Sequence, residues 1–468
     1  MAEQAVFWGC TIPARFPFIE KSSRLAATKI GARLHEIDGF TCCPESTLVK
    51  AADEEAWLIT AARNLAVAET AGFDIVTPCN GCYSTFRDAK HEITITAGMT
   101  VKVNDKLAGE GLTYKGTVKV THLLEWLSEE LGPAVIQRKV TNPLWGMKIA
   151  VHYGCHLLRP TPAVKWEDAT NPTKFEELIE ALGAKVVDYP SRMTCCGGAL
   201  DRVGAREDSL SFARRKLADV KAAGADALVV TCPSCFQQFD LNQAALVRQG
   251  EELGVPVFYY TELLGLALGY LPSEMGFEMH RVDTAPFVEK WETMAEVRGV
   301  LAQTFNLKDL ETCHACGACK DDCPVQQVQP EFDTNAMIGK ILAGELDELL
   351  EGEAIWKCLE CFTCYELCHS RIGMAETFRK AKELALVGGK GPDQVSAAMS
   401  TFKTTGSLGE PREAVRAKLG MEPLPKRGGE QLARLLAGNG EATVAEDVAT
   451  NAANEGATNA GKDGEADE

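Results

Sequence analysis

The stretch Asp74-Ile75-Val76-Thr77-Pro78-Cys79-Asn80-Gly81-Cys82 carries a short β-type run straight into a C-x2-C pair. Ala227-Leu228-Val229-Val230-Thr231-Cys232-Pro233-Ser234-Cys235 does the same 153 residues later. Each pair is preceded by adjacent cysteines, Cys42-Cys43 and Cys195-Cys196, with 35 residues between in both copies. Further upstream stands a single cysteine, Cys10 or Cys155, so each copy holds five. Four of the five recur at an offset of 153 and the fifth at 145, which places an eight-residue insertion in the second copy. Repetition of this kind marks a duplicated structural unit. The runs Ala5–Trp8, Leu34–Ile37 and Asp74–Thr77 match Lys148–Tyr153, Ala184–Tyr189 and Ala227–Thr231 as candidate strands. Helix-type periods such as Glu54–Ala71 and Arg206–Ala223 separate them, which predicts α/β units with parallel sheets. Ligands of open α/β sheets gather beyond the carboxyl ends of the strands, where all ten cysteines fall.

A second repeat follows. Cys313-x2-Cys316-x2-Cys319-x3-Cys323-Pro324 returns 45 residues later as Cys358-x2-Cys361-x2-Cys364-x3-Cys368-His369. This is the spacing of two-cluster ferredoxins, in which three thiolates wrap one cubane and the fourth crosses to its partner. On that pattern Cys313, Cys316, Cys319 and Cys368 hold one [4Fe-4S] cluster, and Cys358, Cys361, Cys364 and Cys323 the other. Zinc ribbons use paired rather than triple spacing, which disfavours zinc. His314 and His369 read as packing or solvated residues. Met337, Ile338, Ile341, Leu342, Leu346 and Leu349 recur at helical spacing, and Gln394–Leu419 and Gln431–Ala437 read as helices, so this part is expected to be mainly α-helical.

The tandem repeat makes a different demand. Neighbouring side chains on an extended backbone point opposite ways, so Cys42-Cys43 and Cys195-Cys196 suit two irons of one cluster better than a single iron. Five thiolates also exceed the four corners of a cubane, so the spacing points to an unusual cluster without specifying it.

The rest of the composition narrows the class. The chain has 468 residues, 46% hydrophobic and 24% charged, as expected of a globular protein. No apolar run is long enough to span a bilayer and no export signal opens the chain, so the expected location is the cytoplasm. The 18 cysteines then read as metal ligands rather than a disulfide framework. Of the net charge of −18, the segment from Gly440 onward supplies −7. No clustered basic face suggests nucleic acid. Gly197-Gly198 and Gly265-x3-Gly269 lack the context of a dinucleotide fingerprint, so no flavin is expected on this chain.

Phrases such as His152-Tyr153-Gly154-Cys155-His156-Leu157-Leu158-Arg159-Pro160 and Cys79-Asn80-Gly81-Cys82-Tyr83 resemble the B-type subunit of heterodisulfide reductase, with its paired CCG cysteine-rich domains. The region from Lys308 to about Leu424 resembles the C-type subunit of the same enzyme, so the chain looks like a B–C fusion. The resemblance implies a first CCG domain over 1–145, a second over 146–275, a linker over 276–305 and a helical two-[4Fe-4S] ferredoxin-like domain over 306–437; the remaining 438–468, outside the resemblance and almost without apolar bulk, reads from its composition as an acidic disordered tail. It further implies two noncubane [4Fe-4S] clusters, one on Cys10, Cys42, Cys43, Cys79 and Cys82 and the other on Cys155, Cys195, Cys196, Cys232 and Cys235. A disulfide of the coenzyme M–coenzyme B type would lie between them and be cleaved to two thiols. The implied electron source is the flavin-containing A-type subunit of heterodisulfide reductase, often joined to a hydrogenase or formate dehydrogenase module in an electron-bifurcating complex. Ten and eight ligands account for every cysteine.

Thiol release needs protons, and His152 and His156 flank Cys155. His156 is the preferred proton donor, because histidine titrates near neutral pH. An anionic disulfide favours nearby cations; Arg159 is the first choice, with Arg15, Arg192 and Arg202 near other cluster loops. Three alternatives stay open: an iron–sulfur relay between a flavoprotein and a quinone or another enzyme, reduction of a different disulfide, and a zinc-stabilised scaffold.

Overall fold

The computed structural model describes residues 3–409, 411–424 and 428–436. The acidic tail expected over 438–468 lies outside the described residues. The chain divides into two units, one ending at Ala295 and the other running from Glu296 onward.

The first unit contains two four-stranded parallel sheets of the same topology. In one, β1 (Glu3–Val6), β2 (Arg33–His35), β3 (Ile75–Thr77) and β4 (Val120–His122) lie in the order β2-β1-β3-β4. In the other, β5 (Lys148–His152), β6 (Lys185–Val186), β7 (Ala227–Val230) and β8 (Val257–Tyr259) lie in the order β6-β5-β7-β8. Register pairs Ala5 with Ile75 in the first sheet and Ile149 with Ala227 in the second. All six strands read from sequence are present: β1 keeps four residues but begins and ends two residues earlier than read, and the other five are shorter, the backbone leaving the ladder before the cysteines. β4 and β8 are additions; three residues are too few to show a period, and pairing with β3 and β7 makes them strands.

Local chemistry sets the crossover helices. Asp53 caps Glu54–Ala71 by accepting from the Ala56 amide at 2.9 Å, and Gly72 ends it in the left-handed region. The matching helix Arg206–Ala222 buries Ser209, Leu210, Ala213, Lys216, Leu217 and Val220 along one stripe. Trp57, Tyr83, Phe86, Tyr153, Phe175, Phe239, Tyr259 and Tyr260 are fully buried, and one apolar core runs through both sheets. The segment read as a linker contributes Phe277, Phe287 and Trp291 to that core, and Ala285–Thr304 is a continuous helix.

The second unit is helical, as expected. Thr334–Ala343 and Leu346–Glu351 bury Met337, Ile338, Ile341, Leu342 and Leu349, with Gly344 in the left-handed region separating them. The stretch Gln394–Leu419 forms two helices rather than one, Asp393–Thr405 and Glu413–Lys418. Gly406 closes the first of these, and Pro411 cannot continue a helix because it lacks an amide donor.

Candidate functional site

All ten cysteines of the tandem repeat line one cavity of about 750 Å³ in the first unit. Each reaches it from the carboxyl end of a strand. Gly9 and Gly154, at matching places before Cys10 and Cys155, have φ of +70° and +75°. A Cβ on Gly9 would stand 2.7 Å from Cys82 Sγ, and one on Gly154 would stand 2.5 Å from Asn80 Nδ2 and 3.5 Å from Cys235 Sγ. Only glycine tolerates both the conformation and the close approach. Cys79 and Cys232 open the helices Asn80–Ile95 and Pro233–Phe236.

The donor set fits an iron–sulfur group. All ten thiols are free of disulfides, and Cys43, Cys79, Cys82, Cys196, Cys232 and Cys235 are buried. Backbone amides serve the sulfurs: Gly197 N–H donates to Cys195 Sγ and Gly198 N–H to Cys196 Sγ, each at 3.4 Å. Clustered thiols share protons, which splits their acidities. Hydrogen bonds from Cys42 and then Cys82 bring Cys43 down to about 6. Those from Cys155 and Cys196, with the Gly197 amide, bring Cys195 down to about 2. Cys235 and Cys79 hold Cys232 well below the usual thiol range, whereas Cys195 and burial push Cys196 up to about 12. Such thiolates are ready metal ligands.

The two copies meet around this cavity. Cys79 and Cys232 interact directly across the boundary. Asn80 Nδ2 donates to the Tyr153 carbonyl at 2.7 Å, and the buried Tyr259 hydroxyl donates to the Pro78 carbonyl. At the cavity wall Arg202 pairs with Glu45 at 2.8 Å and donates to Ser234 Oγ at 2.6 Å, while Arg15 donates to Gln237 Oε1 at 3.0 Å.

His156 lines the cavity beside Cys155. Arg159 does not: its guanidinium donates twice to the Ala169 carbonyl, at 3.1 and 2.8 Å. Arg192 is likewise engaged by Glu176 and by Asn171 Oδ1. The cations on the cavity are Arg15 and Arg202. Two buried polar residues stand near the sulfurs, His152, which the sequence reading passed over in favour of His156, and Lys216, which it did not name. His152 is buried with both ring nitrogens unpartnered, and its ligand atom lies within 4.8 Å of the Cys196 and Cys235 sulfurs. Burial holds it neutral, well below the ordinary histidine pKa. Lys216 is 1% exposed on the inner face of its helix. Its signal in the sequence is a lysine inside the apolar stripe Leu210, Ala213, Leu217, Val220.

In the second unit, burial and then the charges of Cys319, Cys368 and Cys364 push Cys313 up to about 12. Cys323 acts in the same way on Cys358. Gly317 and Phe362, equivalent in the repeat, adopt nearly the same left-handed φ, 57° and 59°. A phenylalanine held there marks a constrained loop.

Two cysteine-lined halves and a ferredoxin-spaced helical unit define an iron–sulfur oxidoreductase. The cysteine-rich domain family (CCG) matches residues 4–87 and 149–240, and the 4Fe-4S dicluster domain family matches 309–372. The B-type subunit of a ferredoxin/F(420)H(2)-dependent CoB-CoM heterodisulfide reductase from Methanosarcina acetivorans is 40% identical over 301 residues, 64% of this chain and 100% of the relative. An 8-methylmenaquinol:fumarate reductase membrane anchor subunit from Wolinella succinogenes is 36% identical over 60% of this chain and 97% of its own length. The C-type iron–sulfur subunit of a CoB–CoM heterodisulfide reductase from Methanopyrus kandleri is 26% identical over 29% of this chain and 71% of its own length. Among solved structures, a hypothetical protein from Helicobacter pylori shares the fold, with a TM-score of 0.50, 17% identity, and coverage of 60% of this chain and 52% of that one. The chain belongs to the family of B-type heterodisulfide reductase subunits and carries a C-type iron–sulfur segment on the same polypeptide. Among the described residues no helix is long and apolar enough to cross a membrane.

Proposed function

We propose that the chain reduces a small-molecule heterodisulfide of the coenzyme M–coenzyme B type, taking up two electrons and two protons to break the S–S bond and release two thiols. The observation that carries this reading is the single cavity onto which all ten repeat cysteines open. In this reading Cys10, Cys42, Cys43, Cys79 and Cys82 hold one noncubane [4Fe-4S] cluster, and Cys155, Cys195, Cys196, Cys232 and Cys235 hold the other. Cys313, Cys316, Cys319 and Cys368 hold one cubane, and Cys358, Cys361, Cys364 and Cys323 hold the second. The influence of Cys368 and Cys364 on Cys313, and of Cys323 on Cys358, supports two runs close enough to exchange a ligand. When bound, the clusters supply single electrons and irons with affinity for sulfur.

The chain's own residues do the rest. Arg15 and Arg202 present guanidinium groups to the acidic ends of the disulfide, with Glu45 holding Arg202 in place until substrate arrives. His156 delivers a proton to a leaving sulfur from its position on the cavity wall. Arg159, through Ala169, shapes the loop after Cys155. Electrons come from a flavin-bearing partner of the A type found in heterodisulfide reductases, alone or with a hydrogenase or formate dehydrogenase module, in a cytoplasmic complex.

The Wolinella relative favours one second reading, a relay between a flavoprotein and a quinone. Anaerobic oxidation of reduced viologen by the iron-loaded chain, with coenzyme M–coenzyme B heterodisulfide as acceptor, separates the two. Disulfide-dependent turnover that Cys42→Ser or Cys195→Ser abolishes supports the reductase. Full iron loading without turnover refutes the substrate assignment, and turnover with a menaquinone analogue instead establishes the relay.

A further inference from the structure

The duplicated halves carry the same thiols but not the same surroundings. Aligned through their buried stripes, Leu58, Ala61, Leu65 and Ala68 of one crossover helix correspond to Leu210, Ala213, Leu217 and Val220 of the other, which sets Asn64 against Lys216. Both side chains brace the loop that carries the adjacent cysteines. Asn64 accepts from the Thr41 amide at 2.9 Å and donates to the Cys42 carbonyl at 3.2 Å. Lys216 donates to the Ser191 carbonyl and, at 3.2 Å, to the Arg192 carbonyl. A neutral amide therefore suffices for the bracing, and the charge on Lys216 needs another explanation.

Its surroundings point to the sulfurs. The ammonium is buried against the Tyr189 ring, 5.1 Å from the centroid, and among the described residues it forms no ion pair with a carboxylate. Burial works against the charge on Lys216, and the anionic groups that favour it are led by Cys235 and Cys196, with Asp219 and Cys195 behind them. The strands differ in the same sense. Phe7 occupies in β1's extension the place that His152 holds in β5, at the offset of 145 that relates Cys10 to Cys155. Phe7 offers no polar hydrogen, whereas His152 stands with free ring nitrogens against Cys196 and Cys235. Of the two cations on the cavity, Arg202 is neutralised by Glu45, and Arg15 is exposed to solvent.

Charge and hydrogen bonds around the sulfurs set the potential of an iron–sulfur group, and each makes the reduced, more negative state easier to reach. We propose that Lys216, assisted by His152, makes the second five-cysteine site the electron-holding one of the pair, so that an electron reaching the pair resides there before the first site is reduced. Lys216 is a positioning residue in this scheme, because its charge acts through the thiolates and it need not touch substrate. The inference rests on the proposal that each five-cysteine set holds one cluster.

The test is a potentiometric titration of the iron-loaded full chain, followed by electron paramagnetic resonance. Cys42→Ser, Cys195→Ser and Cys313→Ser assign the signals to the first site, the second site and the helical unit. In the unmutated chain the second site has the higher midpoint. A unit charge even about 12 Å away, in a medium of effective dielectric ~20, changes the reduction equilibrium by roughly tenfold. Lys216→Met is therefore expected to lower the second site's midpoint by about 59 mV for a one-electron couple, with Lys216→Arg restoring most of it. His152→Phe, which installs the first site's residue, is expected to lower the same midpoint. It decides the matter if Lys216→Met fails to load iron. Unchanged midpoints in iron-loaded variants, or a higher midpoint at the first site, overturn the inference. Absence of cluster signals from the unmutated first unit refutes the cluster assignment itself, which is a separate result.

Discussion

Gly154→Ala tests how the two halves are locked together. At φ +75° the alanine pays the left-handed penalty, ~1–2 kcal/mol. The new Cβ would also stand 2.5 Å from Asn80 Nδ2, and Asn80 is only 2% exposed, so it must move. Its hydrogen bond to the Tyr153 carbonyl, 2.7 Å long and joining the two copies, is then lost, and a buried carbonyl left unpaired costs ~1–3 kcal/mol. The expected destabilisation is about 2–5 kcal/mol. Gly72→Ala is the control, because Gly72 has φ +76° and nothing within 4 Å of its Cβ direction, so it meets the conformational penalty alone. The assay is denaturant unfolding of the iron-loaded chain followed by tryptophan fluorescence. Six of the seven tryptophans, Trp8, Trp57, Trp126, Trp145, Trp166 and Trp291, lie in the first unit and report on it. After Asn80→Ala the further cost of Gly154→Ala should fall to the level of the control, a coupling that a double-mutant cycle measures. Strict additivity, or a Gly154→Ala effect no larger than Gly72→Ala, refutes the reasoning.

Further outcomes are expected. His280 Nε2 faces Glu262 Oε1 at 2.8 Å with both side chains buried; burial opposes the imidazolium, but Glu262 and then Asp240 outweigh it and raise its pKa. A folded pKa above the unfolded ~6.5 stabilises fully below that pH and is lost as pH rises through the folded value, so His280→Gln should flatten this part of the stability–pH curve. Glu262→Gln, which leaves one partner of a buried pair, should cost ~3–5 kcal/mol in the same unfolding assay. Because Cys196 sits at about 12, assembling iron on the stripped chain must displace protons, so uptake should acidify weakly buffered solution and strengthen with pH. His156→Gln should lower kcat for the disulfide by ~10²–10⁴ while leaving iron content unchanged, measured by viologen oxidation.

Much of this protein is legible along the chain. Cysteine spacing is a local constraint, so the sequence alone determined two equivalent five-thiol sets, a ferredoxin-type pair and the parallel strands that deliver the first ten. Strand and helix periods extend over only a few residues, and the same reasoning failed where the period was too short, at β4 and β8, or where Gly406 and Pro411 interrupted it. The relation between the copies belongs to the tertiary structure. That Cys79 meets Cys232, that Glu45 meets Arg202, and that Arg159 turns to Ala169 while Arg15 and Arg202 line the cavity all depend on how two sheets pack. The contrast between Asn64 and Lys216 is visible as letters, but its meaning comes from burial. A lysine in water is one charge among many, screened within ~10 Å, whereas the same charge enclosed in the protein acts on the thiolates through an effective dielectric of ~20, well below that of water.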